Sequence, residues 1–219
     1  MYYCALTEFF DSPRFLPENE RNSGAGAAMP QSSVFALRSR AARRLILGGI
    51  CGMPPAKLVF ETGPHGKPLL RGGPHFSVSH CGDRFVIAVC AVAAVGVDVE
   101  NPARNADFDS LSRRIMCPAE REDFARLDAA GRRAFFMRIW TAKEAALKAA
   151  GTGLGGAPVF FDVRGYGPVA VAGGQYWLSR LSLPDGFEGA VCAAGGAARE
   201  IVFAPLDAAD FSGRSGSPA

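Results

Sequence analysis

The sequence lacks several features that would assign a protein to a broad class. Its six cysteines are scattered over 219 residues, and no two have the CxxC spacing of a metal or redox site. The longest apolar stretch, FVIAVCAVAAVGVDVE, is interrupted by Asp98 and is too short for a membrane-spanning helix. The N-terminus has neither the basic start nor the long apolar centre of a secretory signal. We therefore expect a soluble, cytoplasmic protein with reduced thiols and no membrane partner.

The net charge is small and gives no argument by itself for a nucleic-acid partner. Lys and Arg number 24 against 21 Asp and Glu. Four arginines are concentrated in LRSRAARR: Arg38, Arg40, Arg43 and Arg44. On a helix, this run forms a solvated basic face, a phosphate clamp or a nucleic-acid patch. Interleaved aromatics and basic runs elsewhere, which would favour nucleic acid, are missing, so we expect no nucleic-acid partner.

The sequence does contain a regular mixture of helix and strand signals. Residues 34–50 have helical spacing and end in glycines, and CPAEREDFARLDAAG and RAFFMRIWTAKEAALKAAG continue the helical pattern later. Strand patterns occur before and after them, in KLVFETG, HFSVSH, RFVIAVCAVAAVGVDVE, VFFDVRG, QYWLSRLSL and AVCAAGG. Residues 19–33 are predicted to form a mobile loop. Segregated helices and hairpin-length connections predict an α+β fold.

The segment VGVDVE places two acids on one side of a predicted strand. Side chains alternate along a strand, so the three valines point one way and Gly96, Asp98 and Glu100 the other. Two residues along a strand span roughly 7 Å, so both carboxylates can reach one hard cation such as Mg²⁺. Gly96, with no side chain, leaves room for a bulky ligand beside them. The alternative is an exposed strand face with two solvated acids.

The segment FSVSHCGD places Ser79 and His80 at the end of a strand. A hydroxyl and an imidazole there can donate to phosphate oxygens; the alternative is a satisfied turn histidine. His80 beside Cys81 also raises the possibility of a thiol nucleophile. Adjacent strand residues point to opposite faces, however, so that pair is badly placed for proton transfer.

The segment WTAKEAALKAAGTGL carries Glu144 and Lys148 four residues apart on one helix. As a surface ion pair in the favoured orientation, they stabilise the helix by roughly 0.2–0.5 kcal/mol. The alternative is that they form the edge of a functional site.

In chain order, GKP (66–68), FSVSH, GVDVE and WTAKEAALKAAGTGL resemble the motifs of the 4′-phosphopantetheinyl transferase superfamily. Length and the N-terminal extension are similar to the surfactin-synthetase-activating type rather than the short trimeric holo-acyl-carrier-protein synthase type. The resemblance covers roughly residues 34–203. It implies an α+β fold of two similar halves, about 1–105 and 106–205, with the site in the cleft between them. A weak internal repeat, FVIAVCA (85–91) and FEGAVCA (187–193), agrees with two similar halves. We expect a monomer with a disordered tail at 206–219.

The resemblance also implies an activity. Such enzymes transfer the 4′-phosphopantetheine of coenzyme A to a serine of an apo acyl or peptidyl carrier protein, and they release adenosine 3′,5′-bisphosphate. Mg²⁺ is the implied metal, with Mn²⁺ as an alternative. A non-catalytic coenzyme A or carrier-protein binding module is the second hypothesis, and a nucleic-acid binder using residues 38–44 is the third.

Residue roles follow from the same resemblance. Asp98, Glu100 and Glu144 would bind the metal, and Glu144 or a metal-bound water would accept the serine proton. Lys148 would neutralise charge on the pyrophosphate, so Asp98, Glu144 and Lys148 form the implied catalytic set.

Coenzyme A contacts are implied along the first half of the chain. Ser79 and His80 would hold phosphates, and Lys67 and Pro68 would border the adenine. Arg38 aligns best with the 3′-phosphate arginine, although Arg40, Arg43 or Arg44 could serve instead. Relatives carry extra basic residues near the adenine; here either coenzyme A is bound by fewer cations, or Arg14 and Arg21 replace those residues.

Two further expectations concern the region after GVDVE. Glu120 matches a recurrent acidic position, or it simply favours a helix N-terminus. The surface that selects the carrier protein is expected around residues 105–125.

Overall fold

A computed structural model describes most of the chain: residues 2–8, 17, 31–82, 84–101, 103–156, 159–198 and 200–203. The predicted tail at 206–219, residues 19–30 of the predicted loop, and Arg14 and Arg21 lie outside these residues. None of the described helices combines the length and apolarity needed to cross a membrane. Five cysteines are free thiols: Cys51, Cys81, Cys90, Cys117 and Cys192.

Helices and strands alternate in an order typical of an α+β protein. The strands are β1 (Tyr2–Glu8), β2 (Phe60–Thr62), β3 (Pro68–Leu70), β4 (His75–Cys81), β5 (Arg84–Cys90), β6 (Val95–Glu100), β7 (Gly167–Val171), β8 (Gly174–Ser182), β9 (Glu188–Ala194) and β10 (Ile201–Phe203). The helices are α1 (Gln31–Cys51), α2 (Phe108–Ile115), α3 (Pro118–Ala125), α4 (Ala129–Ala150) and α5 (Gly153–Gly156). The predicted α+β class is confirmed.

The strands form two four-stranded sheets and a small hairpin of β2 and β3. The first sheet has the order β10-β1-β5-β4, and the second has the order β6-β9-β8-β7. All neighbours are antiparallel except β1 and β10, which are parallel.

The two sheets share a pattern of strand order. In each sheet a long helix lies between the first strand and the later ones in the chain. Strand β5 then lies between β1 and β4, and strand β9 lies in the same way between β6 and β8. FVIAVCA and FEGAVCA fall on these two equivalent strands. A twofold relation between halves stays a prediction, as do the boundaries at 105 and 205. Strand β6, which that division gives to the first half, pairs with β9 of the second.

Helix α1 covers one face of the first sheet. Ala42, Ile46 and Leu47 are buried in one cluster with Phe76 and Phe85 of the sheet. Burial of each large apolar side chain contributes about 1.5–3 kcal/mol. The helix begins at Gln31, so the predicted loop over 19–33 is wrong for its last three residues.

Helix α4 covers the second sheet, and its ends have clear causes. The Asp128 carboxylate accepts the Gly131 N–H at 2.8 Å at the N-terminus, and Gly151 ends the helix with φ of 76°. Phe136 and Leu147 pack with Leu178 from the sheet. The helix register therefore fixes which side chains face β6 and β9.

Gly96 brings α4 close to β6. A Cβ at this position would collide with the backbone of Ala145 and Ala149. The prediction that Gly96 leaves room for a ligand is therefore wrong, because helix backbone fills that space. The prediction that the β6 valines enter the core is confirmed, since Val95, Val97 and Val99 are fully buried between the two sheets.

The predicted strand VFFDVRG is not a strand. Residues 159–165 are irregular, and their backbone groups are satisfied by buried side chains instead of a neighbouring strand. Lys143 donates to the carbonyls of Val159 and Phe161, and Glu120 accepts the N–H of Val163. Side-chain partners far away in sequence thus override the apolar strand pattern.

Candidate active site

Asp98 stands at the centre of a group of charged side chains between β6, β4 and α4. Its Oδ1 accepts hydrogen bonds from Ser79 Oγ and from Lys148 Nζ, each at 2.7 Å. Its Oδ2 is buried and has no hydrogen-bond partner among the described residues. A buried carboxylate oxygen without a partner is costly, so this oxygen is poised for a cation or a donor from outside the chain.

Glu100, two residues further along β6, has a different set of partners. Its Oε1 accepts from Arg104 Nη1 at 2.7 Å, and its Oε2 accepts a long bond from Cys81 Sγ at 3.7 Å. Burial raises the pKa of Glu100, the charge of Arg104 opposes that shift, and Asp98 adds to it. The Arg104 guanidinium also lies 5.7 Å from the Trp140 ring centre, where the positive charge favours the ring face.

Glu144 approaches these acids from α4. Its side chain is half-buried, and no hydrogen bond to its carboxylate occurs in the described part of the chain. Burial raises the pKa of Glu144; Lys148 opposes the shift, whereas Asp98 and Glu100 reinforce it. Lys148 thus pairs with Asp98 rather than forming the surface pair with Glu144 that the spacing alone allowed.

The donor set fits a magnesium ion. Mg²⁺ prefers carboxylate oxygens, and it commonly takes one or two of them together with waters and phosphate oxygens. Asp98 Oδ2 is the buried oxygen that lacks a partner, and Glu144 presents a carboxylate nearby. Asp98, Glu100 and Glu144 do not bring three carboxylate oxygens within 4.8 Å of one another. Among the described residues, that spacing occurs in a different cluster. One or two carboxylates are therefore the ligands that this arrangement supports.

The different cluster contains Cys117, Glu120 and Asp162. Lys143 already occupies it, with its ammonium 2.8 Å from Glu120, and both side chains are almost completely buried. The Glu120 carboxylate also accepts the N–H groups of Cys117 and Val163. Glu120 therefore holds α3, α4 and the 159–165 segment together, and every polar atom of the pair is satisfied without a metal.

A cavity of about 220 Å³ adjoins the Lys148 end of the site. Its walls include Lys67 and Pro68, the two GKP residues that the resemblance assigns to the adenine. The Lys67 ammonium donates to the carbonyls of Val95 and Lys148 at 2.8 and 2.6 Å. Burial and the nearby Lys148 charge lower the pKa of Lys67 to about 8. Lys67 thus ties the β2–β3 turn to β6 and to the end of α4 as well as lining the cavity.

His80 and Arg38 belong to another layer of the protein. His80 is exposed on β4 and is paired across the sheet with Phe85, on the face that α1 covers. Arg38 lies on α1, half-buried. Ser79 points instead to the opposite face, toward Asp98. Ser79 and His80, which are adjacent in FSVSH, therefore point to opposite faces of the first sheet.

Two of the other arginines on α1 are engaged by the fold. Arg44 is buried and donates to the carbonyls of Pro55 and Leu58 at 3.1 and 2.8 Å. Arg43 lies over the Phe60 ring at 4.4 Å from its centre. A basic patch made of all four arginines is therefore not present on the surface.

The region that contains β6 and α4 is similar to a known protein family. The family model described as the 4′-phosphopantetheinyl transferase superfamily matches residues 94–188, which include β6 and α4. Residues 94–188 are therefore similar to the 4′-phosphopantetheinyl transferase superfamily. The resemblance drawn from the sequence motifs is thereby confirmed, and the α+β fold is the fold of this superfamily.

Curated relatives have names that agree with this assignment. The chain is similar to a putative 4′-phosphopantetheinyl transferase of Synechocystis sp., with 33% identity over 64% of this chain and 59% of the relative. It is 32% identical to 4′-phosphopantetheinyl transferase HetI of Nostoc sp., over 64% of this chain and 56% of that protein. For 4′-phosphopantetheinyl transferase Sfp of Bacillus subtilis the identity is 28%, over 62% of each chain. The chain thus spans somewhat more than half the length of these relatives.

Sequence reasoning did not anticipate the residues that support the acids. Three contacts became evident only in the structure: the Arg104–Glu100 and Lys143–Glu120 ion pairs and the hydrogen bond from Ser79 to Asp98. One signal was available: FSVSHC places Ser77, Ser79 and Cys81 at alternate positions of a strand, and hence on one face. Polar side chains repeated along a buried face require partners, and those partners are on β6.

Proposed function

We propose that the protein transfers the 4′-phosphopantetheine arm of coenzyme A to a serine of an apo acyl or peptidyl carrier protein, in a Mg²⁺-dependent reaction. The surfactin-synthetase-activating type fits best, since Sfp is among the relatives. One observation carries the proposal: the buried, unpartnered Oδ2 of Asp98 lies next to Lys148 and within electrostatic reach of Glu144. Separate positions for a cation, a proton acceptor and a phosphate are thereby available in one site.

The reaction forms one bond and breaks one bond at the β-phosphorus of coenzyme A. The carrier serine oxygen bonds to that phosphorus, and the bridging oxygen leaves with adenosine 3′,5′-bisphosphate. Glu144 accepts the serine proton, and its raised pKa makes the carboxylate a stronger base than an exposed glutamate. Asp98, together with Glu100 or Glu144, would hold Mg²⁺, which would neutralise charge on the pyrophosphate.

Lys148 completes the charge balance on the donor. Its ammonium is 28% exposed and borders the cavity that contains Lys67 and Pro68, so it can reach a pyrophosphate placed there. Positioning and charge neutralisation are the main requirements of phosphoryl-type transfer. The protein meets them with a lysine and carboxylates on a strand and a helix that Gly96 holds in close contact.

Mass spectrometry of an apo carrier protein tests the proposal. The carrier is incubated with the protein, coenzyme A and Mg²⁺, and we expect it to gain one phosphopantetheine group. Carriers from fatty-acid, polyketide and nonribosomal-peptide pathways are tested in parallel. Omitting coenzyme A or adding EDTA is expected to abolish the gain.

Two results would contradict the proposal. Coenzyme A binding without modification of any carrier would indicate the non-catalytic binding module. Full activity of Glu144→Gln would remove that residue from proton transfer.

A further inference from the structure

The two sheets meet along an unusual contact between β4 and β6. These strands belong to different sheets, yet alternate side chains of β4 accept backbone N–H groups of β6 and of Asn101, the residue directly after it. Ser77 Oγ accepts from the Val97 N–H at 3.1 Å, and Ser79 Oγ accepts from the Val99 N–H at 3.3 Å. Cys81 Sγ accepts from the Asn101 N–H at 3.2 Å. We call Ser77, Ser79 and Cys81 the side-chain ladder. It satisfies N–H groups on the edge of β6 that pairs with no strand in the described part of the chain.

Two members of the ladder also touch the acids of the site. Ser79 donates to Asp98 Oδ1 at 2.7 Å, and Cys81 lies 3.7 Å from Glu100 Oε2. Ser77 makes the same backbone bond as Ser79 but contacts neither acid. The ladder thus contains its own internal control.

The Ser79 hydroxyl has no remaining hydrogen-bonding capacity. A serine hydroxyl has one proton to donate and two lone pairs that accept. The proton goes to Asp98, and the lone pairs face Val99 N at 3.3 Å and Lys148 Nζ at 3.3 Å. The side chain is 7% exposed. A donor phosphate would have to break one of these bonds to reach it.

We propose that Ser79 is a positioning residue that fixes Asp98 for metal binding, rather than a phosphate-binding residue, and that Cys81 does the same more weakly for Glu100. With Oδ1 held by Ser79 and Lys148, the carboxylate plane of Asp98 is fixed and Oδ2 is directed into the site. Outer residues that orient a metal ligand commonly contribute 10- to 100-fold in metal affinity. This inference rests on the metal site of the proposed function.

Metal titration of the intact protein tests the inference. Binding of Mn²⁺ is followed by electron paramagnetic resonance in wild type, Ser79→Ala, Ser79→Thr and Ser77→Ala. We expect Ser79→Ala to lose about 10-fold or more in Mn²⁺ affinity and Ser79→Thr, which keeps the hydroxyl, to recover most of it. Ser77→Ala should keep wild-type Mn²⁺ affinity, and Cys81→Ala should lose less than Ser79→Ala.

Coenzyme A affinity in EDTA separates the two roles of Ser79. A positioning role leaves this metal-independent affinity of Ser79→Ala within about twofold of wild type. A phosphate-binding role predicts the reverse pattern, with weaker coenzyme A binding and unchanged Mn²⁺ affinity, and that pattern would overturn the inference.

Amide exchange measured by NMR in EDTA provides a readout without metal or donor. The Val99 amide should exchange faster in Ser79→Ala, and the Val97 amide should exchange faster in Ser77→Ala. Unchanged exchange at Val99 would overturn the ladder itself. Wild-type protein that binds no Mn²⁺ would remove the metal from the proposed function, whereas wild-type binding with an unaffected Ser79→Ala would overturn this inference alone.

Discussion

Helix α4 carries two lysines five residues apart, and each pairs with an acid from another element. Lys143 lies 2.8 Å from Glu120, and Lys148 lies 2.7 Å from Asp98. The first pair is sealed, with side chains 2% and 0% exposed, whereas the second has 28% and 7% exposure. The same chemical pair thus occurs in two environments on one helix.

The difference lies in the remaining hydrogen-bonding capacity. The Lys143 ammonium has three acceptors, because Val159 and Phe161 add their carbonyls to Glu120. The Asp98–Lys148 pair leaves one carboxylate oxygen unsatisfied and one lysine facing a cavity. A saturated buried pair can only hold the fold together, whereas an unsaturated one can still bind a ligand. The following changes test this distinction, in order of expected size.

Lys143→Met should cause the largest loss of stability. Removing one partner of a buried pair leaves the Glu120 charge without compensation, which costs about 3–5 kcal/mol of unfolding free energy. Urea denaturation followed by circular dichroism measures it. A loss below about 1 kcal/mol would show that the sealed pair is not structural.

Asp98→Asn should affect transfer far more than stability. The amide oxygen can still accept from Ser79 and Lys148, but the uncharged group no longer attracts a cation at the Oδ2 position. We expect carrier modification to slow by about 100- to 1,000-fold, as for loss of one key electrostatic group. Unfolding free energy should change by less than about 1 kcal/mol, and a large change would make Asp98 structural like Glu120.

Lys148→Ala should chiefly slow turnover. Its pair with Asp98 is partly exposed, so the stability loss should stay near 1 kcal/mol or below. Steady-state kinetics should show a fall in kcat of roughly 10- to 100-fold with a smaller change in KM, because charge on the leaving group is stabilised in the transition state. An equal rise in KM with unchanged kcat would assign Lys148 to ground-state binding of coenzyme A.

Glu144→Gln should slightly stabilise the protein at neutral pH. Burial, opposed by Lys148 and reinforced by Asp98 and Glu100, raises the pKa of Glu144, so its ionised form destabilises the native state above that pKa. The penalty is relieved as the pH falls toward the ordinary glutamate value of 4.5, where the native carboxyl is protonated. Thermal unfolding in EDTA should show a gain of about 0.5 kcal/mol at pH 7 that shrinks toward pH 4.5. A gain that grows on acidification would contradict this sign.

Pattern and resemblance selected the charged residues of the candidate site, but not the residues that support them. GVDVE and WTAKE lie on a strand and a helix with local periodicity, so Asp98, Glu144 and Lys148 could be chosen from pattern and resemblance. Lys143 and Ser79 act through contacts between elements, which depend on how the sheets and α4 pack. Arg104 reaches Glu100 from the irregular segment that follows β6. Gly96 shows the same limit: its lack of a side chain was visible, but the neighbour that fills the space was not.

VFFDVRG failed as a strand prediction for a related reason. Val163 is buried and Val159 and Phe161 are partly buried, but Phe160 is exposed, and the backbone partners are a lysine and a glutamate from α4 and α3. Periodicity reports which residues are buried and not which groups satisfy the backbone.

The pairing of β10 with β1 has a consequence for the order of events during synthesis. Residues 2–8 leave the ribosome before any other described strand, and residues 201–203 leave it last. One edge of β1 therefore has no partner for the whole interval in which α1 to β9 are made. Exposed strand edges are templates for aggregation. Until β10 pairs with it, this edge of β1 is an exposed strand edge in the nascent chain.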